Sequence, residues 1–398
     1  MKAFLFSLLT ILAFTACSND SPEDDSSKEQ PKDIIEPDVA ETTLLIYMPY
    51  TGPTGELTDE LQDNLSSIRR AIVANKGMGN DKVVVFVSKD SSVSHFIQYH
   101  YSHLSNKIIS DTLATLNNNT LDFTSSTLIK KIAALTQTAA PAKDYAMIVG
   151  CHAIGWIHKN RISSIHTRTF GGNSDKYRME NVELPKGLAA AGIGKLKYLI
   201  FDDCYMANIE TAFEMRSCTH KLIGSTCEIM GAGLPYQTMF KYLLGTPNYE
   251  KAISAFKDFY TSYSYPYGTL SLIDCDMLDQ FASLMKRVNA ETPALTELQI
   301  SGLQRFDGFP YPVFYDLGDY LATRCANNAS LLKETKKALS QLVPYAVNTD
   351  NYCYYDEDAR DIVPCPIRQY SGITCSDPSL NPAILTDKSE TDWWLATH

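Results

Sequence analysis

The chain has 398 residues, of which 44% are hydrophobic and 20% are charged. This is ordinary globular composition, and the length is sufficient for one large domain or two smaller ones. The formal net charge is -11 and no stretch of the sequence is strongly basic, so nucleic acid is excluded as an expected partner.

The first residues have the pattern of a bacterial targeting segment. Lys2 precedes an apolar run over 3–14, which is too short to span a bilayer comfortably and fits the core of a signal peptide. Two small residues then precede Cys17, as in a lipobox. We therefore expect residues 1–17 to be a signal peptide whose cysteine is lipidated, which would tether the protein to the membrane at the bacterial cell envelope or cell surface. A plain secreted protein cut nearby is the alternative.

Residues 18–41 form an acidic, polar tract with few large apolar side chains, which is typical of a flexible linker. Strand and helix patterns then alternate. Apolar runs over 43–48 and 82–87 are typical of buried parallel strands. An amphipathic helix lies between them, with an apolar stripe of Leu57, Leu61, Leu65, Ile68 and Ile72. A hairpin arm over 95–103 and a second helix that ends before Pro141 follow.

Two further apolar runs each end in a reactive side chain. Residues 145–150 lead into His152, and residues 198–201 lead into Cys204. Catalytic groups of open α/β sheets gather at the carboxyl ends of such strands, so this pair suggests a thiol nucleophile with its base. A helical stripe follows Cys204 directly, and we expect the helix N-terminus to lower the pKa of the thiol.

Each of these residues also has a simpler interpretation. A cysteine at a strand end is usually a small buried hydrophobe, and a lone histidine is usually structural. Cys151 is a competing nucleophile, although strand alternation should point it away from His152. Gly155 would allow a close backbone approach, and Trp156 could form a wall of the site.

The pattern changes in the second half of the chain. Residues 157–182 are polar and basic, which predicts a long exposed loop. From about residue 246 the alternation loosens around one clear strand at 269–273. Strand and helix alternation favours an α/β fold with a mostly parallel sheet. We therefore expect a catalytic domain over 42–245 and a C-terminal α+β subdomain over 246–398.

Two segments carry a resemblance to a known family. Residues 149–156 (VGCHAIGW) and 200–210 (IFDDCYMANIE) resemble the histidine and nucleophile motifs of the clostripain-like cysteine peptidases. Supporting similarities lie at 43–48, 224–225, 233–236, 316–319 and 393–396. The likeness covers roughly residues 42–398, and the cysteine motif is its most specific part.

The resemblance implies a caspase-like three-layer α/β/α sandwich and an endopeptidase with a Cys-His dyad. Carried over, His152 is the dyad histidine and Cys204 is the nucleophile, while Asp202 lies in or near the primary specificity pocket. The backbone N–H groups of Gly155 and Cys204 are candidates for the oxyanion hole. The expected partner is a peptide or protein substrate, with no cofactor, and the expected state is a monomer.

The chain also departs from the family pattern. Ala153 stands where the family usually has glycine, and Ala232 replaces an acidic residue that pairs with substrate Arg or Lys in relatives. Asp202 and Glu228 remain as candidate substrate-binding carboxylates, beside Trp156. A preference for basic residues thus stays open. A catalytically inactive caspase-like lipoprotein that binds a peptide or glycan is the alternative.

Three secondary questions also stay open. Relatives cut themselves between the dyad residues, and the basic loop from Lys159 to Lys176 is a plausible place, with an ordinary exposed loop as the alternative. Some relatives bind calcium, but the acidic clusters at 274–276 and 356–358 are typical of solvated surface, so no metal is predicted. If Cys17 is lipidated and Cys204 is free, the other cysteines could pair outside the cytosol, although nothing in their spacing requires it.

Overall fold

The computed structural model of the protein describes residues 33–52, 56–157, 170–356, 359–381 and 384–398. The expected signal peptide with Cys17, most of the expected linker and most of the basic stretch from Lys159 to Lys176 lie outside these residues. Within the described ranges, no helix is both long and apolar enough to cross a bilayer.

The strands of the described residues are β1 (Ala40–Met48), β2 (Lys82–Ser88), β3 (Val93–Ser102), β4 (Lys107–Asn117), β5 (Ala142–Gly150), β6 (His152–Ala153), β7 (Phe170–Gly171), β8 (Arg178–Met179), β9 (Leu199–Asp202), β10 (Lys221–Gly224), β11 (Thr269–Asp274), β12 (Phe314–Asp316), β13 (Tyr345–Asn348), β14 (Asn351–Asp356), β15 (Asp361–Pro366) and β16 (Thr374–Ser376).

The α-helices of the same residues are α1 (Glu56–Ala74), α2 (Ser126–Ala139), α3 (Glu183–Ala190), α4 (Ile209–Met215), α5 (Tyr236–Met239), α6 (Tyr249–Ser262), α7 (Leu278–Glu291), α8 (Glu297–Gly302), α9 (Leu317–Arg324), α10 (Ala329–Leu342), α11 (Leu385–Ser389) and α12 (Asp392–Thr397).

A nine-stranded sheet organises the molecule, in the order β13-β11-β10-β9-β5-β1-β2-β3-β4. The five central strands, from β10 to β2, pair in parallel. Antiparallel pairs continue the sheet on both sides, with β3 and β4 beyond β2 and with β11 and β13 beyond β10. The hairpin arm expected over 95–103 is confirmed as β3.

Each face of this sheet buries its own core because successive strand residues point to opposite faces. On one face, Leu44, Ile46 and Met48 of β1 pack with the apolar stripe of α1 and with α5 and α6. On the other face, Leu45 and Tyr47 pack with α2, α3, α4 and α7. The expected three-layer α/β/α sandwich is therefore confirmed.

The residues after 245 do not form a separate layer. Their strands β11 and β13 extend the central sheet, and buried side chains such as Leu317 and Leu342 belong to the same core as Phe201. Among the described residues both parts thus share one sheet and one core, and the boundary expected at residue 245 stays a prediction.

Candidate active site

The carboxyl ends of β5 and β9 bring the two sequence motifs to one edge of the sheet. The strands are parallel neighbours, and Gly150 of β5 lies opposite Asp202 of β9. His152 and Cys204 each stand two residues beyond this matched pair. Both residues are half-buried and follow the carboxyl ends of neighbouring parallel strands, where open α/β sheets form their sites.

A tight turn after β9 holds the cysteine. Tyr205 has a φ of 62°, a left-handed conformation that is uncommon for a bulky residue. Its N–H donates to the carbonyl of Cys227 at 3.1 Å, and its own carbonyl accepts from Asn208 Nδ2 at 2.6 Å. Its ring stacks on Phe314 with the centroids 5.3 Å apart. These contacts stabilise the strained turn and thereby fix the position of Cys204.

The helix after the cysteine starts later than expected. α4 begins at Ile209, where Asn208 Oδ1 accepts from the N–H of Thr211 at 2.7 Å. Cys204 therefore lies beyond the first turn, within which a helix dipole is effective. Burial raises the pKa of Cys204 well above its ordinary value, and the Glu228 carboxylate raises it further. The expectation of a thiol pKa lowered by the helix is thus wrong for this structure.

The backbone of Ile229 lies against the sulfur. Its N–H donates to Cys204 Sγ at 3.3 Å, and Sγ lies 4.0 Å from the Ile229 carbonyl oxygen. The N–H favours the thiolate, but burial and the Glu228 carboxylate outweigh it, so the sulfur carries its proton at neutral pH.

The short strands β6, β7 and β8 hold the histidine in place. β6 pairs with β7 so that His152 lies opposite Gly171, and β7 pairs with β8, which carries Arg178. Burial lowers the pKa of His152, and the positive charge of Arg178 lowers it further. The imidazole is therefore neutral at pH 7. Ala153, the departure from the family pattern, packs into the core instead of facing the edge.

A hydrogen bond joins the two motif segments directly. The backbone N–H of Cys151 donates to Asp203 Oδ1 at 2.5 Å. Burial raises the pKa of Asp203 well above its ordinary value. Sequence reasoning missed the role of Asp203. Strand alternation could have found it, because Asp203 points to the face opposite that of Asp202.

The residues after the histidine are enclosed by protein. Gly155 has a φ of 68°, and a β-carbon there would lie 2.8 Å from both Asn208 Nδ2 and Phe314 Cζ. Only glycine fits this backbone. Trp156 is buried, and its indole N–H donates to Ser376 Oγ at 2.6 Å. In this conformation the Trp156 ring packs inside the protein and does not line an open cleft.

Asp202 and Glu228, the two carboxylates that are candidates for substrate binding, lie on the same side of the site as Cys204. Asp202 is buried and accepts from the Leu234 N–H at 2.9 Å and the Tyr236 hydroxyl at 2.8 Å; burial raises its pKa to about 6. Glu228 accepts from the Tyr205 hydroxyl at 2.9 Å. It also accepts from a backbone N–H of β14 at 3.2 Å, and burial raises its pKa to about 7.

The described cysteines, Cys151, Cys204, Cys218, Cys227, Cys275, Cys325, Cys353, Cys365 and Cys375, are all free thiols. Cys151 is buried in the core, away from the edge that holds His152. Within the described ranges, no group of three or more His, Cys, Asp or Glu side chains has the geometry of a metal site.

Comparison with known proteins identifies the family of this fold and site. The model of the clostripain family matches residues 60–361. The chain belongs to the clostripain family. The family and the enzyme class expected from the two motifs, a cysteine-type peptidase, are confirmed.

Solved structures of clostripain-family proteins have the same fold. Iotapain, a secreted C11 cysteine protease from Bacteroides thetaiotaomicron, is 32% identical, with a TM-score of 0.81 over 91% of this chain and 100% of that one. An inactive zymogen C11 protease from Parabacteroides distasonis is 22% identical, with a TM-score of 0.78 over 91% of this chain and 99% of that one.

A third structure is a clostripain from Bacteroides thetaiotaomicron ATCC 29148 in complex with the peptide inhibitor BTN-VLTK-AOMK. It is 38% identical, with a TM-score of 0.53 over 57% of this chain and 99% of that one. A search of curated proteins found no match.

Proposed function

We propose that this clostripain-family protein is an endopeptidase that uses Cys204 as its nucleophile and His152 as the partner that transfers protons. The single observation that carries the proposal is the matched register of β5 and β9, since His152 and Cys204 each follow two residues after the paired Gly150 and Asp202. Membership of a cysteine peptidase family supports the same assignment.

In the proposed reaction, the Cys204 thiol gives its proton to His152, and the thiolate that results attacks a peptide carbonyl carbon. The resulting imidazolium protonates the leaving amine, and an acyl-enzyme remains on the sulfur. Water then attacks the thioester, with His152 as its base, and releases the acid product. The backbone N–H groups of Gly155 and Cys204 donate to no acceptor among the described residues, which leaves both available to a developing oxyanion.

The finer properties are also proposals. We propose that a lipid on Cys17 tethers the enzyme to the cell surface as a monomer, with residues 18–41 as the linker; the relative iotapain is described as secreted. A preference for basic side chains is supported by the 38% identical relative, whose peptide inhibitor VLTK ends in lysine. Self-cleavage between His152 and Cys204 stays a proposal, since most of the basic loop lies outside the described residues.

The test is cleavage of a mixed peptide library by the purified protein and three variants. Cys204→Ala should lower kcat/KM on the order of 10³-fold or more. His152→Ala should lower it by about 10²- to 10⁴-fold. Cys151→Ala, which removes the competing nucleophile from the core, should retain cleavage within a few-fold.

Intact peptides with all four proteins, together with a Cys204 thiol that resists alkylation at neutral pH, would contradict the proposal. That result would favour the inactive peptide- or glycan-binding alternative. Loss of cleavage in Cys151→Ala alone, with its fold preserved by circular dichroism, would move the nucleophile to Cys151.

A further inference from the structure

The segment that covers the nucleophile continues past an acidic side chain of α1. Ile229 touches Cys204 Sγ through its backbone N–H. Two residues further on, Gly231 is exposed, and a β-carbon there would lie 3.7 Å from Glu60 Oε1. Two residues of extended chain span at most about 7 Å. The Glu60 carboxylate thus lies beside the segment whose backbone contacts Cys204.

The next turn of α1 faces the same segment. Asn64 lies one helical turn after Glu60, so both side chains project from one face of α1. A β-carbon on Gly233 would lie 2.6 Å from Asn64 Nδ2 and 2.8 Å from Asp202 Oδ2. The segment therefore runs along α1 with Glu60 at one end and Asp202 at the other. The half-buried Ala232 stands between them and offers only a methyl group.

The two acids differ in how far a substrate can use them. Asp202 is buried beneath Gly233, and its two oxygens accept from Leu234 and Tyr236. Glu60 is exposed, and in the described part of the chain its carboxylate forms no ion pair and accepts no hydrogen bond. Of the two acids, Glu60 is therefore the one whose charge is open to solvent.

We propose that Glu60 is the residue that selects an Arg or Lys side chain immediately before the scissile bond, in place of the acidic group that Ala232 lacks. This inference rests on the proposed peptidase function. Glu60 comes from a different element, the first turns of α1, and acts across the exposed Gly231 backbone. A charge-assisted hydrogen bond to the substrate cation would give the selectivity, and Asp202 would shape the floor of the pocket from below.

The test compares two peptides that differ only in the residue before the scissile bond, lysine in one and norleucine in the other. Glu60→Gln should reduce the ratio of kcat/KM for lysine over norleucine by about tenfold, through the lysine peptide alone. Asp59→Asn removes the same charge from a neighbouring exposed position that points about 100° away on α1, and it should leave the ratio unchanged. Ala232→Asp in the Glu60→Gln background should restore much of the lost ratio.

The possible results distinguish a wrong role for Glu60 from a wrong peptidase function. Cleavage that depends on Cys204 but shows the same ratio in wild type and Glu60→Gln overturns the role of Glu60 and leaves the peptidase intact. An equal loss in Glu60→Gln and Asp59→Asn also overturns it, because it indicates a general charge effect. Absence of any cleavage by the wild type overturns both proposals together.

Discussion

The cysteine and histidine sides of the site have opposite charges. On the cysteine side, the Glu228 carboxylate adds to burial and raises the pKa of Cys204. On the histidine side, the Arg178 guanidinium adds to burial and lowers the pKa of His152. Each side therefore disfavours the ion that the proposed reaction needs there, a thiolate on one side and an imidazolium on the other.

The positions of His152 and Cys204 and their reactivity have different structural causes. The paired strands β5 and β9 fix where the two residues lie. Their charge state depends instead on segments that pack over the edge, which are the stretch around Glu228 and Ile229 on one side and the β7–β8 pair on the other. The charges on these segments therefore affect the reactivity of the site, while the sheet beneath them determines its position.

The largest effect on stability and activity is expected at Asp203, which links the histidine and cysteine segments. Asp203→Ala removes the acceptor for the Cys151 N–H, leaves that donor buried and loosens the two motif segments from each other. The free energy of unfolding should fall by about 1–3 kcal/mol, and kcat/KM should fall by about 10²-fold. Asp203→Asn should retain most activity, because the amide oxygen of Asn can still accept from the Cys151 N–H. Equal losses in the two variants would contradict this account.

Much of the architecture could be predicted from local pattern. The continuous apolar run of β1 is typical of a buried parallel strand and the 3.6-residue apolar stripe of α1 of an amphipathic helix, and both elements are where the sequence puts them. The pairing of the two strands that lead to His152 and Cys204 could be predicted for a similar reason, since catalytic groups of open α/β sheets gather at the carboxyl ends of neighbouring strands.

The reactivity of the site could not be predicted, because it depends on contacts between distant residues. Ile229 lies 25 positions after Cys204 in the chain, and Ser376, which fixes Trp156, lies 220 positions away. The left-handed turn at Tyr205, which delays α4, carries no signal in residue type. The edge strands β11 and β13 join the sheet by antiparallel pairing, which the sequence pattern after residue 246 does not specify.

A smaller effect, on the reactivity of the Cys204 thiol, is expected when only Glu228 on the cysteine side is changed. Glu228→Gln removes the charge that disfavours the thiolate, so Cys204 should be alkylated several-fold faster than in the wild type at pH 8. Since the pKa of Glu228 is about 7, the difference should grow as the pH rises through 7 and vanish near pH 5. Glu250→Gln, at an exposed position of α6, is the control and should behave as the wild type does.

The same variant should change how stability depends on pH. The pKa of Glu228 is raised in the fold from 4.5 to about 7, so the folded wild type binds more protons than the unfolded chain in this interval. The wild type should therefore lose stability as the pH rises from 4.5 to 7, by at most about 3 kcal/mol. Glu228→Gln should lack this loss in urea denaturation. Parallel curves for the two proteins would show that burial of Glu228 carries no titration penalty.

The smallest effect is expected on the histidine side, where burial is the main cause of the lowered pKa and Arg178 is the second. Arg178→Gln should raise the pKa of His152 partway toward its ordinary value, which an NMR titration of the ring protons can measure in the Cys204→Ala background. Arg178→Lys keeps the charge while it disturbs the guanidinium bonds to Gly172 and Asn173, so it should leave the pKa lowered. An equal upward shift in both variants would mean that packing of the β7–β8 pair, and not the charge, holds the imidazole neutral.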